Sequence, residues 1–211
     1  MSSNEDDIRQ LVDLEINYVY DFRSHPELVS DGQKDFPHAQ VTHIDILPDA
    51  GMDESAINKF LKNPQKAFDY LYGEAFPQSS EYSQFIQSVI IQDTPGLLFH
   101  CTGGRDRTGI AGVILMYVLN FKLEDIYEEY LEMNQDIIHA LGMKIGGLSQ
   151  KMGVSITRKE LEALMVPKRR ELEAFFEGVR RVHGGFEAYL TKFLGISTSD
   201  QDTLKNTYLT Q

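Results

Sequence analysis

The stretch LLFHCTGGRDRTGIAGV, from Leu97 to Val113, constrains the fold of this chain more than any other segment. A short apolar run ends in a polar turn that carries glycines, and a longer apolar run follows. This turn holds Cys101, the single cysteine of the 211-residue chain. Such a pattern is typical of a buried strand that leads through a tight turn into a buried helix. It predicts a strand–turn–helix unit at the centre of an α/β domain.

The rest of the chain supports the same fold class. Strands are predicted over 16–20, 41–47 and 97–100, and a loop over 29–39. Their apolar, non-alternating composition favours a mostly parallel central sheet flanked by helices, with a helical C-terminal half. Helices are predicted over 5–14, 54–62, from Pro64, from about 80 to 91, and over 107–119, 122–133, 135–143, 157–165, 168–183, 185–194 and 199–209.

Composition and charge exclude several classes of function. The formal net charge of −12 is poorly suited to binding nucleic acid, and it makes membrane contact weak. One cysteine cannot form an internal disulfide, and the acidic N-terminal sequence MSSNEDDIRQL does not resemble a signal peptide. We therefore expect a cytoplasmic location. The six histidines show no metal-ligand spacing, so neither a metal nor another cofactor is predicted.

The turn after Leu97–His100 carries residues suited to phosphoryl chemistry. Backbone N–H groups of a glycine-bearing turn and of a helix N-terminus bind anions, and they lower the pKa of a nearby thiol. Cys101 is the predicted nucleophile, and Arg107 offers a planar fork that matches two phosphate oxygens. His100 is expected to brace the loop. The predicted phosphate-binding residues are Thr102, Gly103, Gly104, Arg105, Asp106, Arg107 and Thr108.

Transfer of a phosphoryl group to Cys101 would also need a general acid to protonate the leaving oxygen. Asp106, within the loop, is the first candidate, and its alternative role is a carboxylate that favours the helix dipole. Asp49, in the sequence ILPDAG, is the second candidate, with a plain turn residue as its alternative. Asp45 ranks lower because it is predicted to lie on a strand. The order Asp106, Asp49, Asp45 is therefore the prediction.

The sequence HCTGGRDRTG resembles the signature loop of the cysteine-dependent protein-tyrosine-phosphatase superfamily. It is most similar to a bacterial branch of tyrosine and lipid phosphatases with the loop pattern His-Cys-x-x-Gly-(Lys/Arg)-Asp-Arg-Thr-Gly. The segments LVDLEINYVYDFRSHPEL, LEDIYEEYLEMN and VHGGFEAYLTKFLGIS resemble other parts of that branch, so the resemblance covers most of the chain. It implies one phosphatase domain over 1–211 that lacks the N-terminal segment of the branch. Residues 135–165 are expected to form either a helical lid or a plain packing element.

The resemblance and the loop together predict a protein-tyrosine phosphatase, with dual specificity as an extension. The expected partners are a phosphoprotein substrate and a phosphate ion in the loop, while the oligomeric state is not predicted. A phosphoinositide or inositol-phosphate phosphatase is the first alternative. A catalytically inactive phosphate-binding module is the alternative from another class.

Basic residues outside the signature pattern bear on these alternatives. Arg105 either selects substrates with an extra negative charge or faces solvent in a surface ion pair. Arg169 and Arg180 lie close to one face of a predicted helix, where they would meet an anionic lipid. The alternative is a charged face that Glu171, Glu173 and Glu177 balance. Asp21 and Arg23 are predicted to form a structural pair that braces the cysteine loop.

Overall fold

A computed structural model describes residues 5–32, 36, 38–47, 62–92, 96–132, 157 and 166–209. The strands are β1 (Tyr18–Asp21), β2 (Gln40–His43) and β3 (Leu97–His100). The helices are α1 (Glu5–Asp13), α2 (His25–Asp31), α3 (Pro64–Tyr70), α4 (Glu81–Ile90), α5 (Asp106–Val118), α6 (Leu123–Leu131), α7 (Arg169–His183), α8 (Phe186–Ala188) and α9 (Thr198–Tyr208). Two π-helical turns, Leu71–Ala75 and Tyr189–Phe193, and a 3₁₀ turn at Phe76–Gln78 complete the described elements.

The three strands form a parallel sheet in the order β2-β1-β3, which confirms the predicted α/β fold. Because β1 is central, the ends of all three strands are aligned by its pairing on both sides. Asp21 pairs with His43 on β2 and with His100 on β3. The residues that follow the three strands are therefore brought to one edge of the sheet.

The contacts divide the chain into two compact units. The first unit comprises residues 1–51, 79–120 and 190–211 and contains the sheet with α1, α2, α4, α5 and α9. Its core is aromatic: Phe85 of α4 packs edge-to-face against Tyr20 at 5.1 Å and against Phe22 at 5.0 Å between ring centroids. Such pairs add stabilisation beyond the area they bury. They fix α4 against the carboxyl end of β1.

Helix α5 is apolar on most of its surface, as the sequence predicts. Ile110, Ala111 and Ile114 have no exposed surface, and α9 packs against both α4 and α5. The segment that leads into α9 is held to α4 by two hydrogen bonds. Ser83 Oγ donates to the Leu194 carbonyl at 2.6 Å, and Gln87 Nε2 donates to the Gly195 carbonyl at 3.0 Å. Burial of these residues fixes the position of the helix N-terminus, where the cysteine loop ends.

A glycine determines how closely β3 begins beside β1. The Gly96 carbonyl accepts hydrogen bonds from the backbone N–H groups of Asn17 and Tyr18, at 2.9 and 3.2 Å. A Cβ atom on Gly96 would lie 1.8 Å from the carbonyl oxygen of Glu15. No side chain is compatible with that distance, so this close approach requires glycine.

The second unit comprises residues 52–78 and 121–189, and its described part is helical. Helix α7 packs on the π-helical turn Leu71–Ala75, where a Cβ on Gly178 would lie 2.3 Å from the Gly73 carbonyl oxygen. Phe175 makes edge-to-face contacts with Phe186 and Tyr189. Within the described residues, no helix is both long enough and apolar enough to cross a bilayer.

Several predicted boundaries differ from the structure. Residues 25–31 form α2, where no helix was expected and where the predicted loop was to begin at 29. Strand β2 ends at His43, whereas the prediction extended it to 47. The predicted helices over 54–62, 135–143 and 157–165, and the predicted lid or packing element at 135–165, lie outside the described residues except for residues 62 and 157. The other helices lie within a few residues of their predicted bounds.

Candidate active site

The cysteine loop connects β3 to α5 within the first unit, as the sequence predicts. Cys101 directly follows the last residue of β3 and is 5 % exposed. Gly104 has a φ of +64°, a backbone conformation that favours glycine, so the loop turns sharply at this point. Helix α5 begins at Asp106, which places the loop over the N-terminal end of that helix. Backbone N–H groups there carry partial positive charge and attract an anion.

The guanidinium of Arg107 is fixed by contacts at one of its ends. Nη1 donates to Glu27 Oε2 at 2.6 Å and to the Phe22 carbonyl at 3.1 Å, and Nη2 donates to Glu27 Oε1 at 2.8 Å. The Tyr82 hydroxyl donates to the Arg107 carbonyl at 3.2 Å. Burial opposes the charge of Arg107, but the hydrogen bonds to Glu27 and the electrostatic effects of Cys101 and Glu27 outweigh it and raise the pKa of Arg107. Arg107 thus remains a cation beside the thiol.

The main site residue that the sequence analysis missed is Glu27. Its carboxylate accepts from Arg107, from the Thr102 hydroxyl, and from the backbone N–H and hydroxyl of Ser24, the last two at 2.8 Å. Burial tends to raise the pKa of Glu27, but the hydrogen bonds and charge of Arg107 lower it to about 2. The sequence did hold a signal for this residue. Ser24 and Glu27 have the Ser-x-x-Glu spacing of a capping box, which marks the start of a helix.

The predicted ion pair between Asp21 and Arg23 is present and buried. Arg23 Nη2 lies 2.6 Å from Asp21 Oδ2, with side chains 2 % and 5 % exposed. Burial opposes ionisation of Asp21, but hydrogen bonds from Arg23 outweigh it and the pKa of this carboxyl is lowered. His100 Nδ1 lies 3.8 Å from Asp21 Oδ1 and donates to the Cys101 carbonyl at 3.1 Å. This pair lies next to the residue that precedes the cysteine.

Arg105 and Asp106, the two residues that precede Arg107, contact each other. The Arg105 guanidinium is 2 % exposed and donates to the carboxylate of Asp106, whose side chain is 31 % exposed. The expectation of a solvent-facing Arg105 in a surface ion pair is therefore wrong. Asp106, the first candidate for the general acid, retains access to solvent. Asp49, the second candidate, lies outside the described residues.

The reason for ranking Asp45 last does not hold in the structure. Asp45 lies after the end of β2, not on the strand, at the sheet edge that also carries the cysteine loop. Its Oδ2 accepts from the His25 N–H at 3.3 Å, while Oδ1 is buried without a hydrogen-bond partner among the described residues. Burial raises the pKa of Asp45, against smaller opposing effects of His25, His43 and Arg107. A carboxyl that gains a proton more readily is a candidate proton donor.

Thr108, one of the predicted phosphate-binding residues, lies in the first turn of α5. Its Oγ1 is buried and has no hydrogen-bond partner among the described residues, so a bond to the Cys101 thiol is not present here. Within the same residues, no group of three or more His, Cys, Asp or Glu side chains could hold a metal ion. The loop itself carries a thiol, guanidinium groups and a carboxylate.

The basic residues of α7 are balanced by acidic ones. Arg169 contacts Glu124 at 2.9 Å and Glu173 at 3.4 Å, and Arg180 contacts Glu177 at 2.6 Å. The alternative of a balanced charged face is confirmed for these arginines. Glu171 does not belong to that face, because it is 3 % exposed and accepts hydrogen bonds from Tyr130 and the Lys168 N–H.

A cysteine at the end of a parallel strand, followed by a glycine-bearing turn and by an arginine in the next helix, defines the class of cysteine-dependent phosphatases. The profile described as "Tyrosine phosphatase family" matches residues 1–210, and this chain therefore belongs to that family. It is accordingly a phosphoric monoester hydrolase.

Two curated relatives agree with this assignment. The chain is 27 % identical over 204 residues to an inferred tyrosine-protein phosphatase of Cupriavidus necator, a match that covers 92 % of this chain and 71 % of the relative. It is 31 % identical over 75 residues to a tyrosine-protein phosphatase of Nostoc commune, over 33 % of this chain and 26 % of that protein.

Proposed function

We propose that this protein hydrolyses phosphotyrosine in proteins through a cysteinyl-phosphate on Cys101, in the cytoplasm of a bacterium. The observation that carries the proposal is the guanidinium of Arg107, held in place beside Cys101 where β3 passes into α5. A fixed cation and a helix N-terminus attract the anionic phosphoryl group toward the thiol. They also stabilise the negative charge that spreads over the phosphoryl oxygens in the transition state.

The proposed reaction has two steps. The Cys101 thiolate attacks phosphorus, the bond from phosphorus to the ester oxygen breaks, and a protonated aspartate gives its proton to the leaving oxygen. A water molecule then attacks phosphorus, the P–S bond breaks, and the aspartate takes a proton from the water. Inorganic phosphate and the free thiolate are the products. Thr108 is proposed to donate a hydrogen bond to the departing sulfur in the second step.

A para-nitrophenyl phosphate assay tests the proposal directly. The wild-type chain is expected to release nitrophenol, and the Cys101→Ser variant is expected to lose this activity at unchanged thermal stability. Binding of phosphate without turnover by the wild-type chain would instead identify an inactive phosphate-binding module.

Substrate class is tested with phosphopeptides and phosphoinositides. We expect the highest kcat/KM for phosphotyrosine peptides and lower values for phosphoserine or phosphothreonine peptides. The phosphoinositide alternative depended on Arg105 and the α7 arginines, and these side chains are buried or engaged by carboxylates. A higher kcat/KM for phosphoinositides would reverse this order.

The general acid is proposed to be Asp106, with Asp49 as the second candidate and Asp45 as the third. Each is replaced by Asn, and each variant is assayed with aryl phosphates whose leaving groups range from good to poor. Loss of the true acid costs about 10²- to 10⁴-fold, and the loss grows as the leaving group worsens. If the loss of activity in Asp106→Asn is the same for all leaving groups, Asp106 is not the general acid. The role then belongs to the other aspartate whose variant loses more activity as the leaving group worsens.

A further inference from the structure

Within the part of the chain that the structure describes, the bonds made by Arg107 leave one edge of its guanidinium without an acceptor. A guanidinium carries one N–H on Nε and two on each Nη. Glu27 and the Phe22 carbonyl take both N–H groups of Nη1 and one of Nη2. Among the described residues, none accepts a hydrogen bond from Nε. The Nε–H and the second Nη2–H lie side by side and form a second fork, of the same width as the one that Glu27 occupies.

The carboxylate of Glu27 is itself anchored from both sides. Ser24, at the start of α2, donates its N–H and its hydroxyl, and Thr102, at the start of the cysteine loop, donates its hydroxyl. Side-chain exposure of Glu27 is 11 %. Displacing this carboxylate from Arg107 would break several charge-assisted hydrogen bonds at once.

Two roles for Glu27 are compatible with these contacts, and they predict opposite changes in phosphate binding when Glu27 is removed. As an occupant of the phosphate position, Glu27 would compete with substrate, so its removal would strengthen phosphate binding. As a fixed brace, it would orient the guanidinium, so its removal would weaken phosphate binding. The anchoring by Ser24 and the unused Nε–Nη2 fork both favour the brace.

We propose that Glu27 is a positioning residue, which holds Arg107 by its Nη1–Nη2 end and so presents the Nε–Nη2 fork to the substrate phosphoryl group. Through Thr102 it also ties the beginning of the cysteine loop to the arginine near its end. The proposal rests on the proposed function, because it assigns Glu27 a part in phosphate recognition at that site.

The test measures binding of inorganic phosphate by calorimetry in the Cys101→Ser background, where turnover does not interfere. Adding Glu27→Gln, which keeps the size of the side chain but removes its charge, is expected to weaken phosphate binding by about 10- to 100-fold. Glu177→Gln is the matched control, because Glu177 also accepts two hydrogen bonds from one guanidinium, in this case the Nε and Nη2 groups of the exposed Arg180. It should leave phosphate binding unchanged.

A second variant keeps the proposal testable if Glu27→Gln does not fold. Ser24→Ala removes one anchor of Glu27 without altering Arg107, and it is expected to weaken phosphate binding by a few-fold. Unchanged or tighter phosphate binding by either folded variant would overturn the brace.

Kinetics with para-nitrophenyl phosphate give an independent readout. A brace that acts in the ground state, and more strongly in the transition state, predicts a higher KM and a lower kcat for Glu27→Gln. An effect on stability alone, with kcat and KM unchanged, would contradict the proposal. If the wild-type chain binds phosphate but has no activity, the proposed function fails while the binding measurements still decide the role of Glu27.

Discussion

Pairs of a carboxylate and a guanidinium occur in both units, but their surroundings differ. Around the cysteine loop, Arg107 and Glu27 are 16 % and 11 % exposed, whereas Arg180 and Glu177 of α7 are 70 % and 56 % exposed. The shortest distances in the two pairs are both 2.6 Å. Distance alone therefore does not distinguish the two pairs. Burial does, because water screens an exposed pair and leaves it with little net effect.

The strongest test of this contrast replaces each arginine with lysine. Arg107→Lys keeps the charge but loses the planar fork, so we expect kcat/KM for para-nitrophenyl phosphate to fall by about 10³-fold. Arg169→Lys makes the same change in an exposed pair of the second unit and should leave kcat/KM unchanged. Equal losses in the two variants would remove the distinction between the pairs.

The next test concerns stability. Asp21→Asn removes the carboxylate charge that lies 2.6 Å from the buried guanidinium of Arg23, so we expect the free energy of unfolding to fall by about 3 kcal/mol. Asp202→Asn, in an exposed pair with Lys205, should change it by less than about 0.5 kcal/mol. Urea denaturation at neutral pH measures both. A small effect of Asp21→Asn would show that the pair is dispensable for the fold.

A finer test uses pH. The pKa of Glu27 is about 2 in the folded protein, against an ordinary value of 4.5. Because the folded pKa is the lower one, ionised Glu27 stabilises the fold fully above its ordinary pKa, and this contribution is lost as pH falls toward about 2. Urea midpoints of the wild type should therefore fall more steeply with acidification than those of Glu27→Gln. Parallel curves in this window would contradict the lowered pKa.

The smallest effect is expected on α7. Arg180→Ala removes an exposed ion pair, and we expect no measurable change in the urea midpoint. Arg169→Ala should have a slightly larger effect, because its guanidinium also lies 4.0 Å from the Tyr127 ring centroid. If Arg180→Ala were as damaging as Asp21→Asn, burial would not explain the difference between the two units.

The pattern of apolar residues is sufficient to predict those buried elements that are contiguous in the sequence. Strand β3, the cysteine loop and helix α5 follow from a compact run of apolar residues, a glycine turn and a second apolar run. Helix α2 was missed because its seven residues, HPELVSD, show no helical apolar period. Its start is fixed by the hydrogen bond between Ser24 and Glu27. Glu27 in turn accepts a hydrogen bond from Thr102 of the cysteine loop, which is distant in the sequence.

The candidate site was predictable only where residues are adjacent in sequence. Cys101 and Arg107 lie six positions apart, and the motif names both. Glu27 lies 80 positions from Arg107 and reaches it through the alignment of β1 with β3. Asp45 was ranked low because its apolar neighbours extended the predicted strand past His43. Contacts between distant segments are set by strand order, which the sequence pattern did not specify.

The contact of Gly96 with β1 has a consequence for catalysis at the opposite end of β3. Gly96 lies five positions before Cys101, and its carbonyl is held by hydrogen bonds from β1 and the residue before it. The start of β3 is fixed in this way, and it sets the position of the Cys101 sulfur at the end of the strand. A bulkier residue there would push the start of β3 away from Glu15 and carry the displacement along the strand. The position of the Cys101 sulfur therefore depends on a glycine at the other end of the strand.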